Sequence, residues 1–277
     1  MHTTLVSTQQ LADNLAAWRV FDCRHDLAKP DWGFEEFQKA HLPGALFAHL
    51  DRDLSGPKTG NNGRHPLPEP RAFASWLGKQ GLQPADQVVC YDGGPGAMAA
   101  RLWWMLRWVG HETVAVLDGG YAKWQREGRP TTADVAEFSP VTYPGRAKTS
   151  MVAQLSLVEK KLRKAALLDA RAPARYRGEQ EPIDPVAGRI PGAKNRFNND
   201  NLAPEGTFKK PALLRAEFES ILADRNAAEI IHYCGSGVAA CHNALAMEIA
   251  GLTGSRTYIG SWSEWSADPA RPIARSV

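Results

Sequence analysis

The sequence predicts an α/β protein built from two copies of one domain, each a mostly parallel sheet covered by helices. Three observations predict it. Short β-rich runs alternate with segments whose apolar residues fall at helical spacing, the pattern of a helix-covered parallel sheet. Four local patterns recur in the same order in the two halves, the mark of a duplicated domain. The length, 277 residues, suits two domains of ordinary size.

The repeats define the elements in order. Val20-Phe21-Asp22-Cys23-Arg24, a strand with a charged exit, is answered by Leu167-Leu168-Asp169-Ala170-Arg171. His41-Leu42-Pro43-Gly44-Ala45 is answered by Arg189-Ile190-Pro191-Gly192-Ala193. The run Val88-Val89-Cys90-Tyr91-Asp92-Gly93 is answered by Ile230-Ile231-His232-Tyr233-Cys234-Gly235. Leu117-Asp118-Gly119-Gly120 with Trp124 is answered by Tyr258-Ile259-Gly260-Ser261 with Trp265. Helical spacing runs from Arg71 to Gly81, from Ala97 to Gly110 and from Pro211 to Arg225, with glycine ending the first two. Trp103, Trp104 and Trp108 lie along the second of these and read as packing residues. A Pro/Thr/Ser-rich segment over 131–150 has no helical period and reads as a linker, which places the domains at 1–130 and 151–277.

Composition narrows the function. The chain is 43% hydrophobic and 23% charged with net charge +3, and its basic residues are scattered, so neither nucleic acid nor an anionic membrane is expected as a partner. No stretch has the length of a membrane span, and Met1-His2-Thr3-Thr4-Leu5-Val6 lacks the basic start and apolar core of a signal peptide. Four cysteines, Cys23, Cys90, Cys234 and Cys241, have no CxxC spacing; a reducing, cytoplasmic setting is expected.

Chemistry concentrates at Cys234. It follows a β-branched run and precedes Gly235-Ser236-Gly237-Val238-Ala239-Ala240, a small-residue loop entering a helix. Ligands in such sheets bind beyond the carboxyl ends of strands, and a thiol there faces unpaired N–H groups and a helix dipole that favour thiolate. A buried inert role suits Cys23 and Cys90, which lie in or beside apolar strands, and core packing suits Cys241; small neighbours leave Cys234 uncovered. The first copy carries Asp92 at the same point, then Gly93-Gly94-Pro95-Gly96, one residue longer. One copy thus reads as catalytic and the other as inactive.

Competing chemistries lack their parts. A phosphatase loop needs arginine where Ala240 stands, and a phosphate-binding P-loop needs Gly-Lys-Ser/Thr after its glycine turn. A zinc site from His232, Cys234, Cys241 and His242 would need tight paired spacings and ligands on one strand face; no metal is expected. A loop of N–H donors with no cation inside suits a cysteine persulfide, which points to transfer of a sulfur atom.

These motifs, both Pro-Gly-Ala elements included, resemble the rhodanese superfamily over nearly the whole chain, specifically its two-domain thiosulfate and 3-mercaptopyruvate sulfurtransferases. The resemblance implies tandem α/β domains with the first inactive, an active site at the domain interface, and no metal or organic cofactor. It implies a small anionic sulfur donor and a thiol or cyanide acceptor, with a thioredoxin-like protein as a candidate. The Cys-Gly-Ser-Gly-Val loop resembles the mercaptopyruvate branch, in which Ser236, His65 and Asp51 would relay the proton and Arg175 would hold the donor carboxylate. Thiosulfate is the alternative donor, and a persulfide carrier without turnover is the alternative class. The branch also carries a second arginine shortly after a Glu-Pro. This chain reads Glu181-Pro182-Ile183-Asp184-Pro185 there, leaving Arg177 and Arg189 as candidates.

Overall fold

The computed structural model describes residues 1–160, 162, 166–223 and 225–276. They form two compact units that do not follow the chain midpoint. One comprises Met1–Gly56, Leu67–Lys148 and Pro204–Thr207; the other comprises Pro57–Pro66, Thr149–Ala203 and Phe208–Val277.

In the first unit the elements run β1 (Leu5–Val6), α1 (Thr8–Ala12), β2 (Arg19–Asp22), α2 (Trp32–Lys39), β3 (Ala45–Phe47), α3 (Pro70–Lys79), β4 (Val88–Tyr91), α4 (Ala97–Trp108), β5 (Val114–Leu117) and α5 (Gly120–Arg126). The strands pair in parallel in the order β1-β5-β4-β2-β3. β4 and β5 are buried along their whole length, which is why they read as continuous apolar runs rather than alternating ones. Leu11, Phe37, Tyr121 and Trp124, from α1, α2 and α5, share one core with Val20, Val89, Tyr91, Ala115 and Leu117. α4 packs on β4 and β5, and its Trp103, Trp104 and Trp108 are buried.

The helical patterns hold with trimmed ends. α3 starts at Pro70, whose missing N–H costs nothing in a first turn, and Gly81 and Gly110 take positive φ just beyond α3 and α4. The predicted linker is no free tether over its length. Thr132 bridges His41, Val141 N–H bonds Gly78 O, and Lys148 N–H bonds Trp108 O, so the segment lies along the first unit. Gly78 permits this, since a Cβ there would come 2.3 Å from Val141 O.

The second unit runs α6 (Leu155–Lys160), β6 (Leu167–Asp169), α7 (Pro173–Arg177), β7 (Lys194–Asn195), α8 (Pro211–Leu222), β8 (Ile231–Tyr233), α9 (Ala239–Ile249), β9 (Arg256–Thr257) and α10 (Ser261–Trp265). Its parallel sheet has the order β7-β6-β8-β9. The C-terminal end of the helix expected over Pro211 to Arg225 includes residue 224, outside the described residues; α8 itself ends at Leu222.

Duplication extends to the hydrogen bonds. In the first unit Arg24 pairs with Asp22, donates to Ala40 O at 2.7 Å and stacks on Tyr121. In the second, Arg171 pairs with Asp169, donates to Gly188 O at 2.7 Å and stacks on Trp262. Trp124 Nε1 donates to Pro130 O and Trp265 Nε1 to Pro272 O. A buried guanidinium needs this full set of acceptors, so the Asp-x-Arg pattern fixes where each strand exit goes.

Candidate active site

β8 lies between β6 and β9 and delivers Cys234 at its carboxyl end. The loop that follows is held from two sides. Trp262 N–H donates to Cys234 O at 3.0 Å and Ser263 N–H to Gly235 O at 2.9 Å, while Cys234 N–H donates to Ser261 Oγ at 3.1 Å. Ser261 adopts φ +55°, a left-handed conformation costly for a residue with a side chain, and it bonds both this N–H and Tyr258 O. Gly237 has φ +79°, and a Cβ on it would lie 2.4 Å from Ile259 O; no other residue fits. Its N–H donates to Cys234 Sγ at 3.1 Å. Cys241, in the first turn of α9, is buried with Sγ 3.2 Å from Gly237 O, a brace on the loop.

The first unit shows what such a loop can hold. Asp92 occupies the place of Cys234, and its carboxylate accepts N–H bonds from Gly94 and Gly96 at 2.9 Å, Met98 at 2.9 Å and Ala99 at 3.3 Å. The cradle is an anion site filled by the chain's own carboxylate. Gly96 corresponds to Gly237, and Met98 and Ala99 to Ala239 and Ala240 at the start of α9. With a cysteine in place of the aspartate, the Gly237 N–H meets the sulfur, and Cys234 is buried rather than left uncovered by its small neighbours.

Ser236 and His65 are brought together: Nδ1 of His65 lies 2.8 Å from Ser236 Oγ, both residues buried. His65 arrives on Pro57–Pro66, a segment of the second unit by packing although it lies in the N-terminal half of the sequence. Arg64 N–H donates to Ser263 Oγ at 3.1 Å, and Gly63, at φ +85°, passes against Gly260, where a Cβ would lie 2.8 Å from its carbonyl oxygen.

Arg175, in the last turn of α7, reaches the loop. A Cβ on Gly235 would lie 3.4 Å from Arg175 Nη2 and 2.9 Å from Arg64 Nη2, so two guanidinium groups flank the residue after the cysteine. Arg175 is held by Glu181, with Nη2 2.6 Å from Oε1, and by Asp184 Oδ2 at 3.3 Å. Arg64 Nη1 is bonded to Asp184 Oδ1. Burial works against the Glu181 carboxylate, but Arg175 and the N–H groups of Asp184 and Ile183 outweigh it and hold its pKa below the ordinary carboxylate value.

Of the two arginines read as candidates for a second donor contact, each has a partner away from Gly235. Arg177 is committed to Glu179 at 2.6 Å, and Arg189 stacks on Tyr176 and bonds Ser276 Oγ. Arg64, bonded to the Asp184 that follows Glu-Pro in this chain, is the guanidinium that lies with Arg175 beside Gly235. Its adjacency to His65 was the available signal, but its distance in sequence from Arg175 concealed the pairing. Asp51 lies in the first unit, its Oδ2 3.8 Å from His25 Nε2 and its N–H on His49 Nδ1 at 3.1 Å. His25, His49 and Asp51 place potential ligand atoms within 4.8 Å of one another. Nδ1 of His49, however, accepts N–H bonds from Asp51 and Arg52, which puts the ring proton on Nε2 and leaves it no lone pair for an ion.

The family model for the rhodanese-like domain matches residues 7–127 and again 154–268. A Pseudomonas aeruginosa protein named "Probable 3-mercaptopyruvate sulfurtransferase" is 46% identical over 98% of this chain and 97% of its own length. The mouse protein named thiosulfate sulfurtransferase is 34% identical over 96% of this chain and 92% of its own. A crystal structure of SseA from Escherichia coli, described among 3-mercaptopyruvate sulfotransferases, superposes with TM-score 0.81 at 29% identity, covering 94% of this chain and 99% of that one. The chain belongs to the rhodanese family, as a tandem pair of its domains. Among the described residues no helix is long and apolar enough to cross a membrane.

Proposed function

We propose that the protein is a sulfurtransferase that takes sulfane sulfur from 3-mercaptopyruvate onto Cys234 and passes it to a thiol or to cyanide. One observation carries this above the others: the donor ring that Asp92 fills with a carboxylate in the first unit is headed in the second by a cysteine flanked by two guanidinium groups.

The thiolate of Cys234 attacks the donor sulfur. The S–S bond forms, the C–S bond breaks, and its electron pair leaves as the enolate of pyruvate, which takes a proton at carbon. Ser236, hydrogen-bonded to His65, stands where that proton can be delivered, and Asp51 enters the same proton path on the family resemblance. The terminal persulfide sulfur lies among the N–H groups of Gly235 to Ala240, and Arg175 grips the donor carboxylate. An acceptor thiolate then attacks the outer sulfur and returns Cys234 as thiolate. A thioredoxin-like protein is one acceptor of suitable chemistry. A reducing, cytoplasmic compartment suits four cysteines that are all buried and outside any disulfide among the described residues.

Thiosulfate is the second reading, favoured by relatives that carry its name. Steady-state turnover with each donor and a small-thiol acceptor tests the proposal. Turnover that disappears in Cys234→Ser, with higher kcat/KM for 3-mercaptopyruvate, is expected. Uptake of one sulfur without cycling would instead make the protein a carrier.

A further inference from the structure

Arg64, half-buried, and Asp184, buried, form an ion pair beside the sulfur loop, and the proton path does not use them. Arg64 offers one guanidinium face to Asp184 and another, through Nη2, to the space beside Gly235. Its side chain keeps 25% of its exposure, so a ligand entering from solvent reaches it, whereas the Asp184 side chain keeps only 3%. Asp184 also touches Arg175 at 3.3 Å. Arg64 and Arg175 thus bring two positive charges to the loop, and Glu181 and Asp184 cancel both.

We propose that the Arg64–Asp184 pair sets donor selectivity: Arg64 is the second cation gripping the donor's anionic group, and Asp184 offsets one positive charge so that a monocarboxylate is favoured over a dianion. The physical reason is elementary. A change of one charge near the loop alters the binding of a dianion about twice as much as that of a monoanion, because Coulomb energy scales with ligand charge. At neutral pH thiosulfate carries two negative charges and 3-mercaptopyruvate one. Asp184 therefore disfavours thiosulfate more, while its two contacts keep Arg64 and Arg175 aimed at Gly235. The inference rests on the sulfurtransferase function proposed above.

The test is a charge cycle. Wild type, Asp184→Asn, Arg64→Gln, Arg64→Lys and the double variant Arg64→Gln/Asp184→Asn are assayed for kcat/KM with thiosulfate and with 3-mercaptopyruvate. Intact mass of each protein after donor exposure is recorded in parallel. Asp184→Asn is expected to raise the thiosulfate-to-mercaptopyruvate ratio about tenfold, and Arg64→Gln to lower it about as much while raising KM for both donors. The double variant should return the ratio to near that of wild type, and Arg64→Lys should keep it there. Ratios that stay flat, or that move in the same direction in the two single variants, would overturn the proposal. If Asp184→Asn does not fold, Arg64→Gln against Arg64→Lys still decides, since only the first removes a charge. A wild type that gains no sulfur from either donor defeats the proposed function itself. A persulfide that forms normally with unmoved ratios defeats only the role of this pair.

Discussion

Cys234, Gly237 and His232 show how much of the site depends on single side chains. Gly237 combines positive φ with a carbonyl at 2.4 Å from any Cβ, so Gly237→Ala must displace the loop or Ile259. A stability loss on the order of 2–3 kcal/mol is expected by denaturant titration, together with slower sulfur uptake, because the N–H on Cys234 Sγ moves too. His232, one residue before the end of β8, is fully buried with neither ring nitrogen hydrogen-bonded, and burial holds its pKa down from 6.5 to about 3. The folded protein therefore keeps it neutral while the unfolded chain protonates it below pH 6.5. Unfolding free energy should fall by about 1.4 kcal/mol per pH unit on acidification between pH 6.5 and 3 from this residue. His232→Leu should remove that part of the slope, and an unchanged slope would show that the ring is solvated. The cysteine loop was legible from its small residues. The bare surroundings of His232 were not, because a histidine in a strand gives no sign of whether it has a partner.

At the scale of elements, the strand–loop–helix unit occurs twice with different occupants. Asp92 gives four N–H groups a carboxylate in the first unit. Asp92→Ala leaves those donors without it and should cost roughly 2–4 kcal/mol. Sulfate should recover part of that loss by entering the vacated cradle, seen as a larger rise in Tm with sulfate for the variant than for wild type. An equal rise in both would mean that the loop collapses rather than persisting as an anion site. This equivalence could be read from sequence because Val88 to Gly93 and Ile230 to Gly235 align residue by residue. The Pro57–Pro66 segment had no such repeat to reveal it. Its packing depends on Gly63 meeting Gly260 and on Arg64 meeting Asp184, contacts between residues far apart in the chain.

For the molecule as a whole, the duplicated pattern foretold two helix-covered parallel sheets, because each Asp-x-Arg exit and each buried strand repeats the same burial requirement. The composition of compact units by contact was less visible. Pro57–Pro66 joins the second unit, and most of the segment read as a linker lies along the first. Proline-rich stretches without helical period look alike whether they pack or hang free, since their backbone partners lie elsewhere. A consequence follows for truncation. A chain of residues 149–277 lacks Arg64 and His65, so its kcat/KM with 3-mercaptopyruvate should fall at least about a hundredfold, as expected when proton transfer and anion binding are both lost. Activity equal to that of the full chain would remove both residues from the site.

The most direct measurement is the intact mass of the protein after brief exposure to 3-mercaptopyruvate, before any acceptor is added. A species heavier by one sulfur atom, reversed by a thiol and absent in Cys234→Ser, is predicted. No mass gain in the wild type, or the same gain in the serine variant, would contradict a persulfide on Cys234.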